Sequence, residues 1–120
     1  MSTAANVVIA LVALLHVYIL VLEMFLWDKP AGRRAFGQTH EFATATKVLA
    51  ANQGLYNGFL AAGLLWALWL GVAGPGRAVA LFFAGCVLVA GLYGAATASR
   101  RILFVQAAPG ALTLLLVALA

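Results

Sequence analysis

His16 and Glu23 stand seven residues apart in one long apolar run, Asn6 to Trp27. Seven residues are close to two helical turns, so the two side chains share a helix face about 10.5 Å apart along the axis. A second apolar run carries Asn52, Gln53, Tyr56 and Asn57. There Gln53 and Asn57 share one face, and Asn52 and Tyr56 the neighbouring one. Tyr18 in the first run, Tyr93 and Thr97 in a third, and Gln106 in a fourth complete the polar set. An acid and an imidazole withdrawn from water suit proton exchange, with Glu23 near an entrance and His16 deeper. Amides and phenols suit the orientation of polar atoms on a bound molecule. They do not suggest a metal centre. Ligand atoms must lie about 2 Å from an ion, which His16 and Glu23 cannot both do from an unbroken helix, and amides and phenols bind transition metals poorly. His40-Glu41 lacks a second histidine four residues on, so it reads as a solvated pair rather than a zinc motif.

The elements that position these groups follow from composition. Of 120 residues, 66% are hydrophobic and 8% charged, with mean hydropathy +1.08. A soluble domain carries about 25% charged residues, and a small one exposes most of its surface. A soluble globule and a disordered chain are therefore excluded, and a single Cys excludes a disulfide scaffold. Crossing a bilayer takes roughly 20 apolar residues, and four such stretches divide the chain: about 6–27, 48–70, 79–98 and 102–120. No stretch alternates as barrel strands do. The expected fold is all-α, a single domain over 1–120 forming a four-transmembrane-helix bundle. The first stretch has no basic leader and is long for a signal peptide, so it reads as a retained helix. Residues 28–47 are long for a hairpin connection and mix Phe36 and Phe42 with Arg33, Arg34 and His40. A short helix on the cytoplasmic membrane surface is expected there.

Loop charge sets the orientation. Lys29, Arg33, Arg34, Lys47, Arg100 and Arg101 fall on one side and Arg77 alone on the other, which predicts cytoplasmic 28–47 and 99–101 loops and both termini outside. Loop cations facing anionic membrane lipids account for the net charge of +4 without a nucleic-acid partner. By helical rise, Glu23, Asn52, Tyr93 and Gln106 all fall about 7–10 Å inside the cytoplasmic boundary, with His16 and Asn57 near the midplane. The outer half is almost wholly apolar. This predicts a cytosol-facing polar pocket within the membrane, formed by Glu23, His16, Asn52, Gln53, Asn57, Tyr93, Gln106 and Tyr18. Gly54 and Gly58 in the second stretch, and Cys86, Ala90, Gly94 and Ala98 in the third, are small-residue faces for close helix approach. They serve the bundle or a homodimer. Pro109-Gly110 should bend the fourth stretch.

The run from His16 through Tyr18 and Glu23 to Trp27, the segment Asn52-Gln53-Gly54-Leu55-Tyr56-Asn57-Gly58-Phe59, and Gly91 to Thr97 resemble the signature of a family of small bacterial membrane proteins. That family is catalogued as "domain of unknown function 1304". The resemblance spans nearly the whole chain. It implies four membrane helices in a bacterial inner membrane and draws attention to His16, Glu23, Asn52, Gln53 and Asn57. It brings no activity, substrate or cofactor. Three readings stay open: a transporter of a small or amphipathic molecule with proton coupling, an intramembrane acid–base enzyme or binder of a lipid-like ligand, and a structural or accessory subunit. The first leads by likeness of architecture to small multidrug transporters, which establishes no function. No soluble cofactor is implied.

Overall fold

The computed structural model describes residues 2–120. Among them every element is helical, in the order α1 (Ser2–Met24), α2 (Pro30–Phe36), α3 (His40–Ala45), α4 (Lys47–Leu70), α5 (Gly76–Thr97), a π-helical turn (Leu103–Ala107) and α6 (Ala108–Leu119). Two of them, α1 and α5, are long and apolar enough to cross a membrane. The amides that mark α4 (Asn52, Gln53 and Asn57) dilute its apolar character, and the π turn leaves α6 only 12 residues long. Length and apolarity thus single out two helices, where four spans were expected.

The chain packs as two compact units. One is residues 14–61; the other combines the start of α1, up to Ala13, with residues 62–120.

In the 14–61 unit the second half of α1 packs on the first half of α4. Gly54 and Gly58 make this approach close. A methyl group on Gly54 would lie 2.5 Å from Met24 Cγ and 3.2 Å from the Leu20 carbonyl, and one on Gly58 would lie 2.7 Å from Leu20 Cδ1. The connection between the helices is itself folded. Pro30 opens α2, where its missing N–H has no partner to lose, and Gly37 closes it at φ 63°, a conformation glycine adopts freely. Thr39 caps α3 by accepting from the Phe42 N–H at 3.1 Å. Trp27 pins both ends of this strap. Its indole N–H donates to Thr46 Oγ1 at 3.0 Å, and its ring lies 4.8 Å from that of Phe36. Beside it Lys47 Nζ meets Asp28 Oδ2 at 3.2 Å.

In the other unit α5 buries Gly76, Ala80, Ala84, Val87 and Gly91, a stripe at helical spacing. Here the structure corrects the expected register. Of the Cys86–Ala98 stripe, Ala90 and Ala98 are exposed and Cys86 and Gly94 only half-buried. The true seam meets Ala107, Gly110, Thr113 and Val117. A methyl on Gly91 would lie 2.6 Å from Ala107 Cα, and one on Gly110 2.8 Å from the Leu88 backbone nitrogen.

The irregularity expected at Pro109-Gly110 sits one turn earlier. Ala108 N–H bonds to Leu103 O, five residues back. The widened turn accommodates the proline, whose ring would otherwise press on the carbonyl four residues before it. Pro109 itself lies in the first turn of α6, and Thr113 Oγ1 donates to its carbonyl at 2.8 Å. At the far end of α6 Arg77 gathers three carbonyls, donating to Val117 O at 2.7 Å, Ala118 O at 3.1 Å and Ala120 O at 3.4 Å. Arg77, in the first turn of α5, thus caps the end of α6, where the helix dipole favours a cation.

Candidate functional site

The site begins with the two glycines. They bring the backbones of α1 and α4 close enough for short side chains to meet, and Asn57 stands between them in sequence, on the turn that faces Glu23. Asn57 Nδ2 donates to Glu23 Oε1 at 2.6 Å. Both residues are half-buried. A carboxylate taken from water between apolar helices needs donors, since an unpaired one carries a large desolvation cost. Asn57 supplies one through an amide. Lys47, a cation that could have paired with Glu23, is held by Asp28 instead.

His16 lies on the same unbroken helix, two turns before Glu23, and is fully buried and engaged in an interaction. Among the described residues no three His, Cys, Asp or Glu side chains gather as a metal site. Of the other residues expected at the pocket, Asn52 is exposed and turns back to its own helix, donating to Val48 O at 2.9 Å. Gln53 and Tyr18 are exposed as well. Tyr56 is 56% exposed, with its ring 6.0 Å from that of Phe59. Tyr93 and Gln106 belong to the other unit. Tyr93 is 72% exposed; Gln106 is half-buried in the π turn and engaged. Thr97 donates to its own helix at Tyr93 O. Within the 14–61 unit the structure therefore joins Glu23 to Asn57, seats His16 in the core and leaves Asn52, Gln53 and Tyr18 on the surface.

The polar closure of the strap is the part that motif reading missed. Trp27-Asp28 and Thr46-Lys47 bond pairwise at the two ends of the 28–46 segment. The signal was the order of types: an aromatic donor and an acid leave α1, and a hydroxyl and a base enter α4, as a closed hairpin requires. Nearby, Asp28 Oδ1, Arg33 Nε and Gln38 Nε2 are buried without a hydrogen-bond partner, which marks the strap as a place where ordered water has polar groups to satisfy.

The family described as "Protein of unknown function (DUF1304)" matches residues 10–118. A relative from Lactococcus lactis subsp. lactis (strain IL1403), "Uncharacterized protein YpaA", is 35% identical over 98 residues, covering 80% of this chain and 81% of that protein. No solved structure matches.

Proposed function

This chain belongs to the DUF1304 family of proteins of unknown function, and from that premise we propose that it is a four-span inner-membrane protein that handles a small or amphipathic molecule at Glu23 and exchanges a proton there. Support for the membrane comes from the outward faces of the helices. On α1 the side chains of Val7, Leu11, Leu14 and Tyr18, and that of Phe25 just beyond it, are each more than half exposed. Only 28% of the apolar window of α1, and 22% of that of α5, is buried within the protein. In water such stripes would form large apolar patches; in a bilayer lipid covers them. α4 and the α6 segment are the remaining two spans of the proposal. The bias in Lys and Arg places the 28–47 strap and the 99–101 turn in the cytoplasm and both termini outside. In that frame the short helices α2 and α3 lie at the membrane surface, with Phe42 55% exposed.

The single observation that carries the functional reading is the Glu23–Asn57 hydrogen bond inside a glycine-packed helix pair. A membrane carboxylate held by a neutral amide keeps no permanent counter-ion. It can therefore release its partner and take a proton, or meet a cationic or hydrogen-bonding group on a ligand. Transport with proton coupling is the reaction class this arrangement serves most directly.

The test uses proteoliposomes loaded with a pH-sensitive dye and challenged with permanently charged amphipathic cations and anions, which cannot carry protons themselves. The wild-type protein should move protons when a molecule of the right class is added. Glu23→Gln should not, although it folds and inserts normally. Equal proton movement by both would overturn the reading.

A further inference from the structure

The α1–α4 seam continues past Glu23 toward the strap, and one contact closes it there. Thr46, Ala50, Gly54 and Gly58 stand four apart and share a helix face. The Ala50 N–H bonds to Thr46 O at 2.9 Å, which brings Thr46 into the first turn of that row. Leu20 lies over Gly58, Met24 and Glu23 lie over Gly54, and Trp27 meets Thr46. Buried Ala50 is the turn between the last two contacts. On the other side, the helical bonds of α1 run on to Leu26, whose N–H meets Val21 O and Leu22 O, both at 3.2 Å. Trp27 therefore follows Glu23 by about one turn, roughly 6 Å along the seam.

Three neighbours fix Trp27 in place. Gly32 of α2 lies so close to the Leu26 carbonyl and to Trp27 Cα that no side chain fits there. The Phe36 ring, 4.8 Å away, tilts at 50° against the indole. Thr46 gives its own hydroxyl proton to Phe42 O at 2.7 Å, so its oxygen is left to accept from the indole N–H, which can only donate. A phenylalanine at this position would still pack on Phe36; the indole adds a bond across the seam.

We propose that the Trp27–Thr46 clasp is the gate of the Glu23 site, and that its opening admits water and protons along the seam to the carboxylate. This rests on the reading of Glu23 as a group that exchanges protons. In a bilayer a flank of Glu23 that meets lipid brings no water, so the polar seam toward the strap is the route by which a proton arrives. One hydrogen bond biases such a closure roughly two- to tenfold, which keeps it shut most of the time and lets it open thermally.

Glu23, Asp28 and Glu41 are the acidic residues of the chain, so carbodiimide labelling read by peptide mass spectrometry resolves each of them. The full chain in lipid nanodiscs is treated at one pH with two reagents. A cationic, water-soluble carbodiimide with an amine nucleophile arrives from water; dicyclohexylcarbodiimide arrives through lipid. Trp27→Phe keeps a ring and removes the N–H, and Thr46→Val keeps the shape and removes the acceptor. Each should speed the labelling of Glu23 by the water-borne reagent about two- to tenfold, and Trp27→Ala should speed it further. Labelling of Glu23 by dicyclohexylcarbodiimide, and of exposed Glu41 by either reagent, should stay at the wild-type rate. Unchanged water-borne labelling in Trp27→Phe and Thr46→Val would overturn the gate. So would an equal rise with both reagents, since the whole seam would then have loosened. The proteoliposome assay separates the two readings. A wild-type protein that moves no protons while this labelling pattern holds would sink proton exchange and leave the clasp as the cover of the carboxylate. Proton movement with clasp variants labelled at the wild-type rate would sink the gate alone.

Discussion

Two helix contacts in this protein use the same device for different ends. Where α1 meets α4, Gly54 and Gly58 come closest to side-chain atoms that can turn aside, those of Met24 and Leu20, with the fixed Glu23 Cβ and the Leu20 carbonyl farther off at 3.1 and 3.2 Å. Where α5 meets the π turn and α6, Gly91 and Gly110 face main-chain atoms of Ala107 and Leu88. The first contact leaves room for a polar pair, Asn57 and Glu23. The second is lined mainly by small apolar residues, with Thr113 closing on the local backbone at Pro109 and Arg77 on the helix end at residues 117–120. The lesson is that a small residue in an apolar helix does not announce its purpose. What it touches decides whether the seam is a rigid joint or a place where a side chain can change partners.

The sharpest way to break that contrast is to put a methyl on each seam. Gly91→Ala should be the most damaging substitution considered, because Ala107 Cα cannot move without shifting the π turn; overpacking of this kind costs about 1–3 kcal/mol and at times more. Gly58→Ala meets only the tip of Leu20, a rotatable group, and should cost under about 1 kcal/mol. Thermal unfolding in detergent, followed by helical circular dichroism, measures both. Similar losses at the two positions would erase the distinction between a backbone joint and a side-chain joint.

The polar pair sharpens the comparison from the other side. Asn57→Leu removes the donor and leaves the Glu23 carboxylate unsatisfied, at a cost of about 1–3 kcal/mol. Glu23→Gln keeps an acceptor for Asn57 and should cost less than that while abolishing the proton exchange proposed for Glu23. Adding Asn57→Leu to Glu23→Gln should then be milder than adding it to the wild type, a coupling that a double-mutant cycle reads directly. Additive losses would mean that the 2.6 Å contact contributes nothing specific to the folded state.

Much of this was legible in the sequence, and the reasons are physical. Composition alone required apolar helices, and their limits at residues 24, 70 and 97 lie within a few residues of the expected ones because charged and glycine-rich turns fix them. Glu23 and Asn57 were expected around one pocket because helical rise gathers the polar residues of the four apolar stretches in the same half. Their pairing was not legible. It depends on the rotation that Gly54 and Gly58 impose on α4, which also leaves Asn52 and Gln53 on the surface although they look equally polar in sequence. The stripe of α5 was misread for a related reason. Cys86–Ala98 and Ala80–Gly91 are both rows of small residues at helical spacing, and only the partner, with Ala107 and Gly110 in its path, selects between them. The strap was expected as one surface helix; Gly37 and the Thr39 cap divide it into two.

Arg77 tests the α5–α6 seam at its end. Arg77→Met removes the donors that hold the last carbonyls of α6 and should cost about 0.3–1 kcal/mol, in the range of a cation at a helix C-terminus. Hydrogen exchange of the amides of 114–119 should accelerate while those near Gly91 and Ala107 stay protected. Because Arg77 is the only basic residue on the side proposed to lie outside, its loss should also strengthen the charge asymmetry, and insertion reporters on the termini should show no inverted population. Acceleration spread evenly along α5 and α6 would mean that the seam is one cooperative unit and that its cap is not separable.

The smallest effect is expected at the strap, where a polar closure faces water. The Lys47 ammonium bonds to Asp28 and holds the Asp28 carboxyl below its ordinary pKa. The unfolded chain therefore binds a proton at Asp28 more readily than the folded one. The contribution of the pair is fully present above the pKa of an unperturbed aspartate, about 3.9, and is lost as pH falls through the depressed folded value. With Trp66 and Trp69 replaced by Phe, Trp27 is the remaining tryptophan of three, and its emission reports the strap next to Asp28. On acid titration it should shift at a pH below the usual aspartate range, and Lys47→Met should move that shift upward toward the ordinary value. The α1–α4 contact itself, with Glu23 and Asn57 further along the helices, should keep its helical signal throughout the titration. A Trp27 transition at the same pH with and without Lys47 would show that the ion pair does not govern the strap, leaving the indole–Thr46 hydrogen bond and the Phe36 contact as the forces that close it.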